Sequence, residues 1–252
     1  MMPHRLSIVL VLPFSLAVMG CGVETYQSRV IHNTIPFFQY HQELNANLGP
    51  RWRKGEVSLR LPAGLKEIPG PKKNEKEARD KRIPSGLNIE ELTGLLGGFR
   101  GEVEAVNSAG STVQTPFYAL VLSNRVLLAS RDTKAKPDKF DTVLVNRLAE
   151  ALGGTELRST PRHVVGGQDF APSLAYEVAR LDAASSNPAM RYEVYLHRQG
   201  PLQVAIVFVV PQEAARSERL NERIELSLQT LRLGGGEQAA GASSSGGGSP
   251  SF

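Results

Sequence analysis

The chain has one cysteine in 252 residues, Cys21. A lone cysteine cannot close an intrachain disulfide, so the fold has no covalent staple and its stability must come from burial. The same shortage excludes a cysteine-ligated zinc cluster. Aromatics are sparse at 6%, with a single tryptophan. There is no phosphate-cradling Gly-rich loop ending in Gly-Lys-Ser/Thr, no His/Cys pair at zinc spacing and no Gly-x-Ser-x-Gly elbow. There is also no internal repeat. Charge of neither sign dominates: 29 Lys and Arg stand against 25 Asp and Glu, a formal balance of +4. Long apolar runs are missing too. The longest, Leu6 to Met19, has 14 residues and is broken by Pro13, whereas a membrane-crossing helix needs roughly 20.

What is there begins with that short run. His4 and Arg5 precede it and Gly20 closes it, so the order is basic n-region, apolar h-region, then a small residue at a cleavage point. The residues Val18-Met19-Gly20-Cys21 resemble the lipobox of bacterial lipoproteins. The resemblance implies that Cys21 is acylated on its sulfur, that residues 1–20 are removed, and that the new amine is acylated as well. Anchoring becomes durable once more than one acyl chain is attached. Gly22 occupies the position where an aspartate would retain the protein at the inner membrane. The expected address is therefore the cell envelope, leaning to the outer membrane and facing the periplasm. A plain secretory signal with an incidental cysteine is the alternative.

Residues 21–55 are read as a tether, yet they carry Tyr26, Phe37, Phe38, Tyr40 and Trp52. A free linker is poorer in aromatics. Part of this stretch is expected to pack on the domain, in preference to lying at the membrane interface. A single domain is expected over 56–233, an ordinary size for one core. Its loop 70–84 holds six cations and three anions between Lys72 and Arg82. A solvated loop is the preferred reading, with contact to anionic headgroups as the alternative. The pI near 9.3 thus reflects a local excess, and nucleic acid is not expected as a partner. Residues 234–252 are Gly, Ser and Ala with one charge, the composition of a disordered tail.

Within the domain, Val57-Ser58-Leu59-Arg60-Leu61 alternates as a half-buried strand does, and Pro62 ends it. Asn88 with Glu91 predicts a capped short helix through Leu92, Leu95 and Leu96. Strands are predicted over Phe99 to Val106 and Phe117 to Leu122, with Arg125 to Ser130 as a returning hairpin arm. Phe140, Val143, Leu144, Leu148 and Ala151 fall at helical spacing over Asp138 to Leu152. Three strands follow, Leu174 to Leu181, Met190 to Arg198 and Leu202 to Val210. The last is apolar on both faces and is expected at the centre, covered on both sides. A helix from about Gln212 to Leu231 carries Leu220, Ile224, Leu228 and Leu231 on one stripe.

This order predicts an α+β fold, an antiparallel sheet flanked by helices. With Val57 to Pro62, the pair Tyr192-Glu193-Val194-Tyr195 and Val204-Ala205-Ile206-Val207-Phe208, and the closing Leu226-Ser227-Leu228, it resembles the PsbP-like fold. That resemblance implies accessory or binding roles and carries over no functional residue.

Candidate chemistry is thin. Arg191, Glu193, Tyr195 and His197 share one strand face, a stripe that is either a groove wall or the half-exposed face of a sheet. His163 lies six residues before Asp169, an acid–base spacing with no nucleophile nearby. His32 and His41 have no carboxylates to complete a metal site. Gly94, Gly97, Gly98 and Gly101 fit a cap and turn better than a dinucleotide loop. The expectation is a lipid-anchored envelope protein, without cofactor, whose non-catalytic domain engages a protein partner or envelope component. A small-molecule or ion binder is the alternative, and an enzyme with a diffuse site comes third.

Overall fold

The strand Leu202–Pro211 sets the architecture, because nine of its ten residues are buried. At about 1.5–3 kcal/mol for each fully buried large apolar side chain, such a strand requires cover on both faces, and it has it. The structure is a computed structural model. It describes residues 26–71, 80–84, 86–87, 89, 91–107, 109–130, 136–153, 158–167, 170–183, 189–214 and 219–234. Cys21, the signal segment, residues 72–79 of the charged loop, Asn88, Asp169 and the tail from 235 onward lie outside the described residues.

In chain order the strands are β1 Leu48–Lys54, β2 Val57–Pro62, β3 Lys66–Glu67, β4 Leu95–Val106, β5 Thr112–Ser123, β6 Arg158–Val165, β7 Leu174–Ala183, β8 Met190–Gln199, β9 Leu202–Pro211 and β10 Arg232–Leu233. The α-helices are α1 Ile35–Asn47, α2 Arg125–Ala129, α3 Phe140–Ala151 and α4 Leu220–Gln229. Seven strands form one sheet in the order β3-β4-β5-β9-β8-β7-β6, and β1-β2-β10 form a second. Every pairing is antiparallel. The class is α+β, as expected.

Period-two alternation divides the apolar residues of the large sheet between two cores. On one face Phe99, Phe117, Tyr176, Tyr195, Ile206 and Phe208 meet Val57, Leu59 and Leu61 of the small sheet and Leu220, Ile224 and Leu228 of α4. On the other, Leu120, Leu122, Leu181, Val194 and Val207 meet Phe140, Leu144, Val145 and Leu148 of α3. Val143 of α3 is half exposed rather than part of the buried stripe.

Hydroxyls at the C-terminal end of α4, Ser227 and the capping Thr230, complete the small sheet. β10 is only two residues long and stops pairing at Ser58, which leaves the Arg60 backbone without a strand partner on that side. The Thr230 hydroxyl accepts from Arg60 N–H at 2.7 Å, and the Ser227 hydroxyl donates to its carbonyl at 2.7 Å. Asn124 performs a similar service at the other end. Its amide donates to the carbonyls of Pro137 (3.0 Å) and Pro201 (2.9 Å) and accepts from Gln203 N–H (2.9 Å). One fully buried side chain thus ties the ends of β5 and β9 to the approach to α3.

Several local expectations are corrected. Residues Leu95 and Leu96 open β4 instead of closing a helix, because Gly94 turns the chain at φ +79° and Leu95 pairs with Leu122. Arg125–Ala129 is a helical turn rather than a hairpin arm, since the free edge of β5 is taken by β9. The last helix begins at Leu220, and Ala214 bridges Ala105 before it. Beyond the two-residue β3 and β10, two longer strands were not expected, β1 inside the supposed tether and β6. Both contain a proline, Pro50 and Pro161, at the point where the pairing register shifts.

The glycines of β4 serve close approach. A Cβ on Gly98 would lie 2.5 Å from Arg82 Cβ, and one on Gly101 2.7 Å from the Phe117 ring. Arg82 in turn holds the buried Asp80 at 2.6 Å. Its hydrogen bonds keep the Asp80 carboxyl below its usual value against the opposing effect of burial, which is the largest single influence.

Candidate functional site

The strand face singled out from sequence lies at the open side of the α4 core. Antiparallel register sets Arg180 opposite Glu193 and Asp182 opposite Arg191. Alternation keeps all four, with Tyr195, on one face. Cross-strand pairs of opposite charge on neighbouring strands attract one another, and here they form a square of alternating sign. The helix α4 passes over it and supplies Asn221 and Glu225, four residues apart and so on one helical face. A cleft of about 530 Å³ remains between them, with His163 from β6 at its side and Gln212 at its end.

Glu193 is the centre of the arrangement. Its side chain is only 5% exposed, and a carboxylate so deep is costly unless it is paired. Arg191 Nε approaches Oε1 at 2.8 Å and Arg180 Nε at 3.6 Å. The Tyr195 hydroxyl donates to Oε2 at 2.9 Å. The Arg191 Nε–H is not aimed along the carboxylate, so the contact is an ion pair without hydrogen-bond geometry. Burial raises the Tyr195 hydroxyl well above its usual value, and the Glu193 charge raises it further. At neutral pH Tyr195 is a donor and not a base.

At the rim, Gln212 donates to Asp182 Oδ1 at 3.1 Å. His163 Nε2 is buried, makes no hydrogen bond and sits 3.8 Å from Glu225 Oε1. A second hollow of about 340 Å³ adjoins the cleft and shares Arg191, Gln212 and Asn221 with it.

Arg191, Glu193 and Tyr195 therefore come together, and His197 stands apart. Its Nδ1 lies 2.9 Å from the Ala175 carbonyl and its ring 5.4 Å from that of Tyr176, further along β8 and outside the cleft. The stripe is also less exposed than a bare sheet face, because α4 covers it: Glu193 and Tyr195 are each 4% exposed. Sequence reading missed Arg180, Asp182 and Glu225. The first two were visible as charges alternating with apolar residues in β7, but their meeting with Glu193 depends on register. His163 keeps company with Glu225; Asp169 lies outside the described residues. His32 and His41 gather no metal site, and among the described residues no three His, Cys, Asp or Glu side chains gather as metal ligands would.

The cleft offers both signs of charge from β7, β8 and α4 and the side-chain amides of Gln212 and Asn221. Such a set can recognise a polar segment by charge-assisted hydrogen bonds. Among the described residues that line it, the one hydroxyl is that of Tyr195, which burial keeps protonated.

No family model matches the chain, and no curated protein matches it. Solved structures do show likeness. A crystal structure from Bacteroides thetaiotaomicron aligns over 73% of this chain at 11% identity with a TM-score of 0.33. The chain spans about half, 48%, of that protein's length. The solution structure of cyanobacterial PsbP (CyanoP) from Synechocystis aligns over 75% of this chain and 93% of its own, at 7% identity and a TM-score of 0.40. Neither likeness carries a function to this chain.

Proposed function

We propose that this chain is a lipoprotein of the bacterial cell envelope, anchored through acylated Cys21 and facing the periplasm from the outer membrane. Its α+β domain is a non-catalytic module that engages an envelope protein through the cleft between β7, β8 and α4. The lipobox residues Val18 to Cys21 support the anchor. The partner reading rests on one observation. Arg180 and Glu225, with side chains 48% and 56% exposed, present opposite charges over the buried Glu193–Arg191 pair. Charges held on strands at a rim give specificity and steer encounter.

A second reading, a small-molecule or ion binder, is favoured by the cleft's size, which falls within the roughly 300–1,000 Å³ of ligand sites. The charged lining separates the two, because small-molecule sites are mostly apolar with few polar groups.

A photo-crosslinking side chain at Asn221 should give a reproducible protein adduct in intact envelopes, and Arg180→Glu should weaken it. A clean monomer throughout would refute the partner reading. Labelling with a clickable fatty acid should tag the wild type and not Cys21→Ser. Equal labelling of both would refute the anchor.

A further inference from the structure

The helical segment 26–47, made of a helical turn at 26–29, the π-helical turn Val30–Thr34 and α1, has two halves with different surroundings. In the second half Tyr40 and Leu44, with Leu48 just beyond, pack on Leu226 of α4. The first half is seated at one point, where the Phe37 ring meets Phe170 edge to face at 5.5 Å; among the described residues the side chains on its other face have no such contact. Tyr26, Ile31, Ile35 and Phe38 are 70, 57, 45 and 64% exposed. No residue of the π-helical turn Val30–Thr34 is buried. Ile31, Ile35 and Phe38 stand at i, i+4 and i+7, which is one face of a helix. Pro36 explains the wide turn before it. Its ring would crowd the carbonyl four residues back, and it has no N–H to give it. The Ile35 N–H reaches instead to the Val30 carbonyl. The chain therefore keeps this segment helical past a proline while leaving its apolar stripe bare.

Two features identify the occupant. The first is position. Cys21 is five residues before Tyr26, and five extended residues reach at most about 18 Å. If Cys21 is acylated, the bare helix starts within that distance of the acyl chains. The second is composition. Between Glu24 and Glu43 the only formal charge is Arg29. Tyr and Phe with a cation and no anion suit the headgroup layer of an anionic bilayer. Among the described residues no helix is long and apolar enough to cross a membrane, so the segment would lie in the surface.

We infer that residues 26–38 lie flat in the headgroup layer of the bilayer that holds Cys21, with Ile31, Ile35 and Phe38 turned toward the acyl chains. This rests on the lipoprotein reading above. The module is then not a bead on a string. The same helix is seated on α4, so the domain is held in one orientation, and α4 is the element that also roofs the cleft.

The test uses the full lipidated protein in vesicles of phosphatidylethanolamine and phosphatidylglycerol with brominated acyl chains, which quench tryptophan on contact. Trp52, the chain's one tryptophan, is first replaced by Phe. Phe38→Trp in that background should lose emission in brominated relative to ordinary vesicles. Val143→Trp, at an exposed position on α3, should not. Fatty-acid incorporation and vesicle flotation are measured on the same samples. A labelled, floating protein with unquenched Phe38→Trp overturns the inference and leaves the anchor standing. Equal quenching of both variants overturns it as well, as does a concentration-dependent blue shift of Phe38→Trp without lipid, which would mean that a second copy covers the stripe. Failure to label and float overturns the anchor reading and the inference with it.

Discussion

Raising the pH should unfold this domain over a window set by Tyr176, Tyr192 and Tyr195. Each hydroxyl is buried and raised above the ordinary value of 10 chiefly by that burial. Tyr192 is pushed up to about 12, and the other two are raised further. Tyr176 donates to the Leu228 carbonyl at 2.8 Å and Tyr195 to Glu193, so ionising either removes a hydrogen bond as well. The sign follows from linkage. The unfolded chain releases these protons near 10, while the folded chain keeps them. Stability is therefore complete below pH 10 and falls as the pH rises toward 12. Each group contributes a slope of about 1.4 kcal/mol per pH unit once it is ionised only in the unfolded state. Three together approach about 4 kcal/mol per unit, so the window spans most of the roughly 5–15 kcal/mol that holds a typical domain. Urea denaturation followed by circular dichroism at a series of pH values measures the slope, and tyrosinate absorbance shows whether ionisation and unfolding coincide. Tyr192→Phe should flatten the slope by about a third, one group of three. A free energy of unfolding that stays level across the window, while these tyrosines ionise in the folded state, would refute the reasoning.

Three further predictions concern side chains already placed. Asn124→Ala removes three hydrogen bonds at a fully buried site and should cost about 3 kcal/mol. This would be read as a lower urea midpoint at unchanged m-value, and an unchanged midpoint would contradict the role assigned to it. Gly98→Ala brings a methyl to 2.5 Å from Arg82 Cβ and should destabilise by about 1–3 kcal/mol through overpacking; a neutral result in thermal unfolding would show that the Arg82 segment yields freely. Glu193→Gln keeps the size but removes the carboxylate that Arg191 and Arg180 share, leaving Asp182 opposite Arg191. Both arginines are partly exposed, so the loss should be about 1–2 kcal/mol rather than the 3–5 of a fully buried pair, and a gain in urea stability would mean that the carboxylate is not held as described.

Sequence reading succeeded where burial alone dictates pattern. The two-faced apolar strand at Leu202–Pro211 and the helix carrying Phe140, Leu144 and Leu148 could be read directly, because two cores demand them. The α+β class followed from their order. Reading failed where pairing, not periodicity, makes the element. Pro50 and Pro161 break the alternation of β1 and β6 and argue against a strand by propensity, yet an edge strand tolerates proline at an irregularity. Gly97, Gly98 and Gly101 looked like punctuation, and their real purpose, admitting Trp52, Arg82 and Phe117 against β4, needs long-range contacts to be seen. The candidate cleft was half legible. Arg191, Glu193 and Tyr195 share a face by alternation, but Arg180 and Asp182 join them through register, and Glu225 through the packing of α4.

The two prolines have a consequence beyond their own strands. β6 is the last strand of the large sheet on one side, and β3, on the other, is two residues long. A sheet with long, straight, hydrogen-bonding margins recruits other chains, end strand to end strand, and grows into aggregates. Here one margin lacks a donor at Pro161 and slips register beside it, and at the other β4 is covered by β3 at Phe99 and Arg100 and by the bridge from Ala214 at Ala105. The small sheet carries the same defect at Pro50. The interrupted strands β6 and β1 are thereby weakened as templates for pairing between copies.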